Sequence, residues 1–137
     1  MAESVELTVP ADSVAMATLL SAIEAFCDAN AIEPRPAYVL TLVVEELVTN
    51  VINHAYAGMR PGLVRLSIAA SDGAVVGEVS DDGRAFDPTT APPPDIRAEL
   101  EDRTVGGLGV HIVRTLVDAF EYARDDERNV VRFRIAR

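Results

Sequence analysis

The chain has 137 residues, 49% of them hydrophobic and 25% charged, a size and balance that fit one globular domain with its own core. All 12 basic residues are arginine, against 22 aspartates and glutamates, so the formal net charge is −10. The lack of lysine excludes a P-loop, a Schiff-base enzyme and a kinase built on a strand lysine. The acidic balance argues against direct nucleic-acid binding and favours protein partners, and no apolar stretch approaches the ~20 residues of a membrane span.

Cysteine and histidine usage limits the possible metal chemistry. Cys27 is the only cysteine, and His54 and His111 are the only histidines. Disulfides within the chain and metal sites built from several cysteines or histidines are therefore excluded, which leaves oxygen-liganded Mg²⁺ as the natural candidate. The N-terminus lacks the basic start and apolar run of a signal peptide, so we expect a cytoplasmic protein.

The first half of the chain predicts one strand and two helices. Alternation of Val5, Leu7 and Val9 with polar residues predicts a strand over residues 4–10. A helix capped by Asp12 or Ser13 is then predicted to end near residue 30. After two prolines, helical periodicity returns over residues 36–57.

The second half predicts four strands and one helix. Strands over residues 63–70 and 74–82 are joined by a short turn and form a hairpin. The proline-rich connection over residues 83–105 is predicted to be a lid, with a short helix possible over 95–103. A helix over residues 107–118 and strands over 120–124 and 129–136 complete the chain.

This order of elements predicts an α/β (α+β) two-layer sandwich. Three helices, each with one apolar stripe, are expected to cover one face of a mixed, mostly antiparallel sheet. With no internal repeat, residues 1–137 are expected to form a single domain whose other sheet face meets solvent or a partner.

The second predicted helix also has a polar face. Glu46, Asn50 and Asn53 or His54 recur at helical spacing, opposite the apolar stripe. Each asparagine costs a helix about 0.6 kcal/mol relative to alanine, so two within four residues need a reason. One interpretation is a solvated helix face. The other is a site in which an asparagine oxygen binds Mg²⁺ and a carboxylate one turn away acts as a general base.

Two glycine-containing segments offer a similar choice. The Asp81-Asp82-Gly83 sequence at a strand end can be a plain turn, or a carboxylate that accepts a hydrogen bond from a purine amino group. The Gly106-Gly107-Leu108-Gly109 sequence can be an ordinary turn before a helix. Alternatively, it is a phosphate site, because the first amide N–H groups of a helix have no partner within it.

Taken in order, these three boxes resemble the GHKL (Bergerat-fold) ATPases, and within them the small anti-sigma-factor serine/threonine kinases of bacterial partner-switching systems. EELVTNVINHAY is similar to the N box of that family, DDGRAFDP to its first glycine box and GGLGVHIVRTLVD to its second. The resemblance covers residues 5–135 and implies the Bergerat fold with an ATP lid.

The resemblance also implies residue roles. Glu46 corresponds to the general base and Asn50 to the Mg²⁺ ligand, while Asp81 would read the adenine amino group. In the final strand, Asn129-Val130 stands where members generally carry threonine; Asn129 can replace the hydrogen bond, whereas Val130 cannot. The residues implied to hold ATP are Asn50, Asn53, Asp81, Gly83, Gly106, Gly107, Leu108 and Gly109.

The implied function is that of an ATP- and Mg²⁺-dependent anti-sigma factor and kinase. Such a protein sequesters a sigma factor or a similar target, and it phosphorylates a small antagonist protein on serine or threonine. Members of this family often form homodimers. The alternative is a nucleotide-gated protein-binding module with weak or no kinase activity and a target other than a sigma factor.

Overall fold

Five strands and three α-helices make up the part of the chain that the computed structural model describes, residues 3–90 and 107–137. The strands are β1 Glu3–Pro10, β2 Leu63–Ala70, β3 Ala74–Asp81, β4 Ala119–Asp125 and β5 Arg128–Ala136. The helices are α1 Ala15–Ala29, α2 Pro34–Asn50 and α3 Gly107–Leu116, with a π-helical turn Val51–Ala55 after α2 and a 3-10 turn Pro88–Thr90 after β3. The short helix predicted over 95–103 and most of the predicted lid lie outside the described residues.

The strands form one sheet in the order β1-β2-β3-β5-β4, and every neighbouring pair is antiparallel. The expectation of a mixed sheet is therefore wrong for the described residues. β3 and β4 run in the same direction, but β5 lies between them and pairs with both, so they do not form a parallel pair. The β4–β5 hairpin turns through Asp126 and Glu127, both of which have positive φ.

Helix α2 lies at the centre of the packing. It contacts both α1 and α3, and it also packs on β3 and β5. Its fully buried face carries Leu40, Val43, Val44 and Val48. The three valines are β-branched and therefore mediocre helix formers, so packing contributes more than propensity to the stability of this segment. The opposing layer consists of alternate strand residues: Val64, Leu66, Ile68, Val75, Val79, Val131, Phe133 and Ile135.

Both ends of α2 differ from the sequence prediction. The helix begins at Pro34 rather than after Pro36, because proline is well tolerated in a first helical turn, where the N–H has no intrahelical partner. At its other end it does not continue to residue 57 as a regular helix. The Tyr56 N–H donates to Val51 O at 3.0 Å, five residues back, and widens the final turn into a π-helix.

Helix α1 is held at both ends by local hydrogen bonds. Asp12 Oδ1 accepts from the N–H groups of Val14 and Ala15 at 2.9 and 3.1 Å, which confirms Asp12 as the capping residue. At the other end Ile32 N–H donates to Cys27 O at 3.0 Å, and Ala31 adopts a left-handed conformation with φ of 50°. No helix among the described residues has the length and hydropathy needed to cross a membrane.

Ala31 occupies a backbone position that favours glycine, so we expect Ala31→Gly to stabilise the protein by about 0.5–1 kcal/mol. The gain arises because glycine has no Cβ to oppose the left-handed conformation. Ala25→Gly, at an exposed position inside α1, is the matched control and should destabilise by about 1 kcal/mol. Urea unfolding of both variants tests this expectation, which is wrong if the two variants lose similar stability.

Candidate functional site

The first two predicted boxes meet at a cavity between α2 and the ends of β3 and β5. The cavity has a volume of about 20 Å³, which is room for little more than a water molecule. Asn50 brings the polar face of α2 to it, Asp81 brings the strand-end carboxylate, and Asn129 joins them from β5. The remaining lining residues are Leu47, Val51, Ala55, Val79, Phe86, Pro88 and Val131.

Asp81, the last residue of β3, is almost fully buried, with 3% of its surface exposed. Its Oδ1 accepts hydrogen bonds from Gly83 N–H at 2.8 Å and from Asn129 Nδ2 at 2.9 Å. Burial raises the pKa of this carboxyl, while the bonds from Asn129 and Gly83 act in the opposite direction. No described residue donates a hydrogen bond to Oδ2, so that oxygen is available to a ligand.

Asn129 faces Asp81 across the sheet, because the two residues are paired in the register of β3 and β5. Besides its bond to Asp81, its Nδ2 donates to Arg84 O at 2.8 Å. Its Oδ1 accepts from Phe86 N–H at 3.1 Å and from the Tyr122 hydroxyl at 2.6 Å. Asn129 therefore holds Asp81, and it also fixes the segment that follows β3, while its role in binding adenine stays a prediction.

Gly83 is required by a close backbone approach. A Cβ at this position would lie 2.5 Å from Ala55 O, at the end of the π-helical turn. The next residue, Arg84, donates its N–H to the same carbonyl at 2.9 Å. The described residues thus give Gly83 a role in joining two segments of the site, and the proposed approach of a nucleotide base remains a prediction.

Glu46 and Gly109 bring the first and third predicted boxes together. Gly109 lies in the first turn of α3, and a Cβ there would collide with the Glu46 carboxyl group. Glu46 Oε2 is buried and has no hydrogen-bond partner among the described residues. Burial, and to a lesser degree the neighbouring Glu45 charge, raises the pKa of Glu46. A partly buried carboxylate with an unused oxygen is suited to accept a proton.

Asn50 lies one helical turn after Glu46 and is only 4% exposed. Its Nδ2 is buried without a hydrogen-bond partner, and no described residue bonds to its Oδ1. Within the described residues no group of three or more His, Cys, Asp or Glu side chains could hold a metal. The Asn50 amide oxygen at the cavity fits a Mg²⁺ that takes its other ligands from phosphates and water, because Mg²⁺ prefers oxygen ligands and keeps several waters.

Four predicted site residues remain, and the described contacts do not connect them to the cavity. Asn53 is exposed in the π-helical turn. Gly107 begins α3, and Leu108 follows it in the same helix. Gly106 lies outside the described residues. The structure therefore brings Gly109 against Glu46 and places Asn50 beside Asp81, which bonds to Gly83, whereas a nucleotide role for all of the predicted site residues stays a prediction.

Sequence patterns did not indicate the contacts of four further residues at the site. Tyr122 bonds to Asn129, as described above. The Tyr56 hydroxyl donates to Leu63 O at 2.8 Å and accepts from Asp82 N–H at 3.0 Å, which fixes the end of β3. The rings of His54 and Phe86 stack with centroids 4.7 Å apart. His54, Tyr56 and Phe86 lie within the recognised boxes, but the boxes do not show which residues they contact.

The chain is similar in sequence to several known proteins. Residues 9–135 match the sequence profile of the family described as histidine kinase-like ATPase domain. The serine/threonine-protein kinase BtrW of Bordetella bronchiseptica is 32% identical over 95 residues, which are 69% of this chain and 67% of that protein. The serine-protein kinase RsbW of Listeria monocytogenes is 30% identical over 96 residues, covering 67% and 61%. An anti-sigma F factor of Clostridium botulinum is 25% identical over 85 residues, covering 62% and 59%.

These curated relatives are longer than the matched segments, which span about three fifths to two thirds of them. Among solved structures, the crystal structure of the RsbU and RsbW domains of Rv1364c from Mycobacterium tuberculosis superposes with a TM-score of 0.70. The superposition covers 98% of this chain and 33% of that one, at 16% sequence identity. At that identity the likeness concerns the fold alone, and it confirms the predicted fold class.

The unpaired Oε2 of Glu46 should cost stability, so we expect Glu46→Gln to raise the free energy of unfolding at pH 7, by only about 0.5 kcal/mol because solvent screens the charge of this partly exposed side chain. Because the pKa of Glu46 is raised in the folded protein, stability is lost as pH rises from the ordinary glutamate range through the raised value. Glutamine removes that loss. Urea unfolding without ligand at pH 4 and pH 7 measures the difference, with Glu24→Gln on the exposed face of α1 as the control. Equal stability of wild type and Glu46→Gln at both pH values would contradict the expectation.

Proposed function

Because this chain belongs to the histidine kinase-like ATPase domain family, we propose that it is an ATP- and Mg²⁺-dependent serine/threonine protein kinase that also acts as an anti-sigma factor. In this role it sequesters a sigma factor or an equivalent target and phosphorylates a small antagonist protein. The observation that carries the proposal is the Glu46 carboxylate, whose Oε2 is buried without a partner among the described residues; it contacts the start of α3 and lies one turn from Asn50.

Glu46 acts as the general base. Its carboxylate accepts the proton of the substrate hydroxyl as that oxygen forms a bond to the γ-phosphorus of ATP, while the bond from the γ-phosphorus to the bridging oxygen breaks and ADP departs. Burial raises the pKa of Glu46 and so makes the ionised side chain a stronger base than an exposed glutamate. The contact with Gly109 keeps the carboxyl close to the first turn of α3, where the phosphates are expected.

The N-terminal turn of α3 holds the triphosphate. Gly107, Leu108 and Gly109 offer backbone N–H groups at the positive end of the helix dipole, which replaces the lysine that this chain lacks, and Gly106 is proposed to act with them. Asn50, with its unbonded Oδ1 at the cavity, is the protein ligand of Mg²⁺, and Asn53 adds a phosphate or metal contact from the adjacent turn. The bound cation would supply charge neutralisation for the transferring phosphoryl group.

Asp81 recognises the adenine amino group through Oδ2. The cavity beside it is far smaller than the ~300 Å³ or more of a typical ligand site, so nucleotide entry must widen it. Phe86 lines this cavity and stacks on His54, and it follows directly after the Gly83 turn. The segment containing Phe86 therefore belongs to the lid, which extends over residues 83–105 of a single domain.

The partners are proteins rather than nucleic acids or membranes. A net charge of −10 disfavours nucleic acid and anionic lipid, whereas the names of the relatives include both protein kinases and an anti-sigma factor. The free, buried Cys27 fits a reducing cytoplasm. A homodimer is included in the proposal because no helix among the described residues covers the outer face of the sheet.

Phosphoryl transfer is tested with labelled ATP, Mg²⁺ and the small antagonist-domain proteins encoded in the same genome, each purified separately. We expect phosphoserine or phosphothreonine on one of them, and a rate about 10²–10⁴-fold lower in Glu46→Gln, which retains ATP binding. Glu45→Gln is the matched control. It keeps the base but removes a charge that raises the Glu46 pKa, so its activity should persist with the acid limb of the pH profile at lower pH.

ATP binding without transfer to any of these proteins would refute the kinase proposal and favour a nucleotide-gated binding module. Transfer that persists unchanged in Glu46→Gln would leave a kinase but remove Glu46 as its base.

The proposed role of Asn50 gives a separate expectation. Asn50→Ala should weaken ATP binding in the presence of Mg²⁺ by at least about 10-fold, because the protein ligand of the cation is lost. Binding in the presence of a chelator should be equal in the variant and the wild type. Titration calorimetry measures both, with Asn30→Ala at the end of α1 as the control. If the metal dependence of ATP binding is unchanged in Asn50→Ala, another residue is the ligand.

A further inference from the structure

The hydrogen-bond partners of Asn129 determine how its amide is oriented. Asp81 Oδ1 and Arg84 O can only accept, so the group that faces them must be Nδ2, at 2.9 and 2.8 Å. The Phe86 N–H can only donate, so the group that faces it must be Oδ1, at 3.1 Å. The Tyr122 hydroxyl, 2.6 Å from the same Oδ1, must therefore donate to it. Both amide protons and both lone pairs of Asn129 are used.

This arrangement leaves Asp81 with one engaged oxygen and one unused oxygen. Oδ1 accepts from Asn129 Nδ2 and from Gly83 N–H, and these two bonds prevent rotation of the carboxylate. Oδ2 is then the acceptor presented to the cavity. Burial raises the pKa of Asp81, and the bond from Asn129 is the larger of the two hydrogen-bond effects that lower it, so Asn129 also favours the acceptor-only, ionised form.

We propose that Asn129, oriented by Tyr122, is a specificity-determining positioning residue for the nucleotide base. It holds Asp81 so that Oδ2 accepts a hydrogen bond from the amino group of adenine, and it thereby discriminates against purines that lack an amino group at that position. This inference rests on the proposed function, in that the cavity is taken to bind ATP. Asn129 itself need not touch the base.

The experiment compares two nucleotides that differ only in that amino group. ATP and purine riboside 5′-triphosphate, which carries hydrogen in its place, are titrated by calorimetry into wild type, Asn129→Asp and Tyr122→Phe. The aspartate keeps the size of the side chain but places an acceptor opposite Asp81 Oδ1 and Arg84 O. The phenylalanine removes only the hydroxyl that orients the amide, and it provides a milder variant in case Asn129→Asp does not fold.

We expect wild type to prefer ATP by about 10-fold or more, as for a hydrogen bond to a charged group. The preference should fall to about 2-fold or less in Asn129→Asp and by about 3-fold in Tyr122→Phe, while affinity for the analogue changes little. Asn30→Asp and Tyr38→Phe, whose side chains do not line the cavity, should retain the wild-type preference.

Each other outcome has a distinct meaning. Equal weakening of both nucleotides in the variants, with the preference unchanged, would show a purely structural role and overturn the inference while leaving the proposed function intact. Equal affinity of wild type for both nucleotides would also overturn it. If wild type binds neither nucleotide, the proposed function fails, and the inference fails with it.

Discussion

Burial of α2 is the constraint on which the rest of the structure depends. The same helix places Leu40, Val43, Val44 and Val48 in the core and presents Glu46 and Asn50 to the site. Its branched residues would not sustain a long helix alone, so the helix persists because the sheet and two neighbouring helices cover it. Any displacement of the core would therefore also displace the proposed base and metal ligand.

The polar residues of the site fall into two groups with opposite hydrogen-bonding states. Asn129 uses all of its hydrogen-bonding groups, and Asp81 Oδ1 is bonded to Asn129 and to the turn that contains Gly83. Glu46 Oε2 and Asn50 Nδ2 are buried without partners among the described residues, which costs free energy. The first group is suited to hold a fixed geometry. The second is suited to gain interactions when a ligand arrives, as expected where stability has been given up for function.

The π-helical turn links these two groups. It ends α2 immediately after Asn50 and aims Ala55 O at the Gly83-Arg84 backbone, so that the end of the helix and the end of β3 are joined by a hydrogen bond of 2.9 Å. Tyr56, the next residue, makes a second connection through its hydroxyl to the same strand end. The absence of a Cβ at Gly83 allows both segments to come this close.

The sequence by itself determined the order and type of the elements, because apolar periodicity and turn residues are local signals. It also singled out Glu46, Asn50, Asp81, Gly83 and Gly109, since each belongs to a recognisable box. Only the tertiary structure decided that β5 lies between β3 and β4, that Asn129 donates a hydrogen bond to Asp81, and that Tyr122 donates one to Asn129. It likewise decided that the helix widens after Asn50 and that Gly109 packs on the Glu46 carboxyl. The strand order, the Asn129–Asp81 bond and the Gly109–Glu46 contact join residues that are distant along the chain. The π-helical turn and the Tyr122–Asn129 bond are local, but neither kind of contact leaves a periodic pattern in a single sequence.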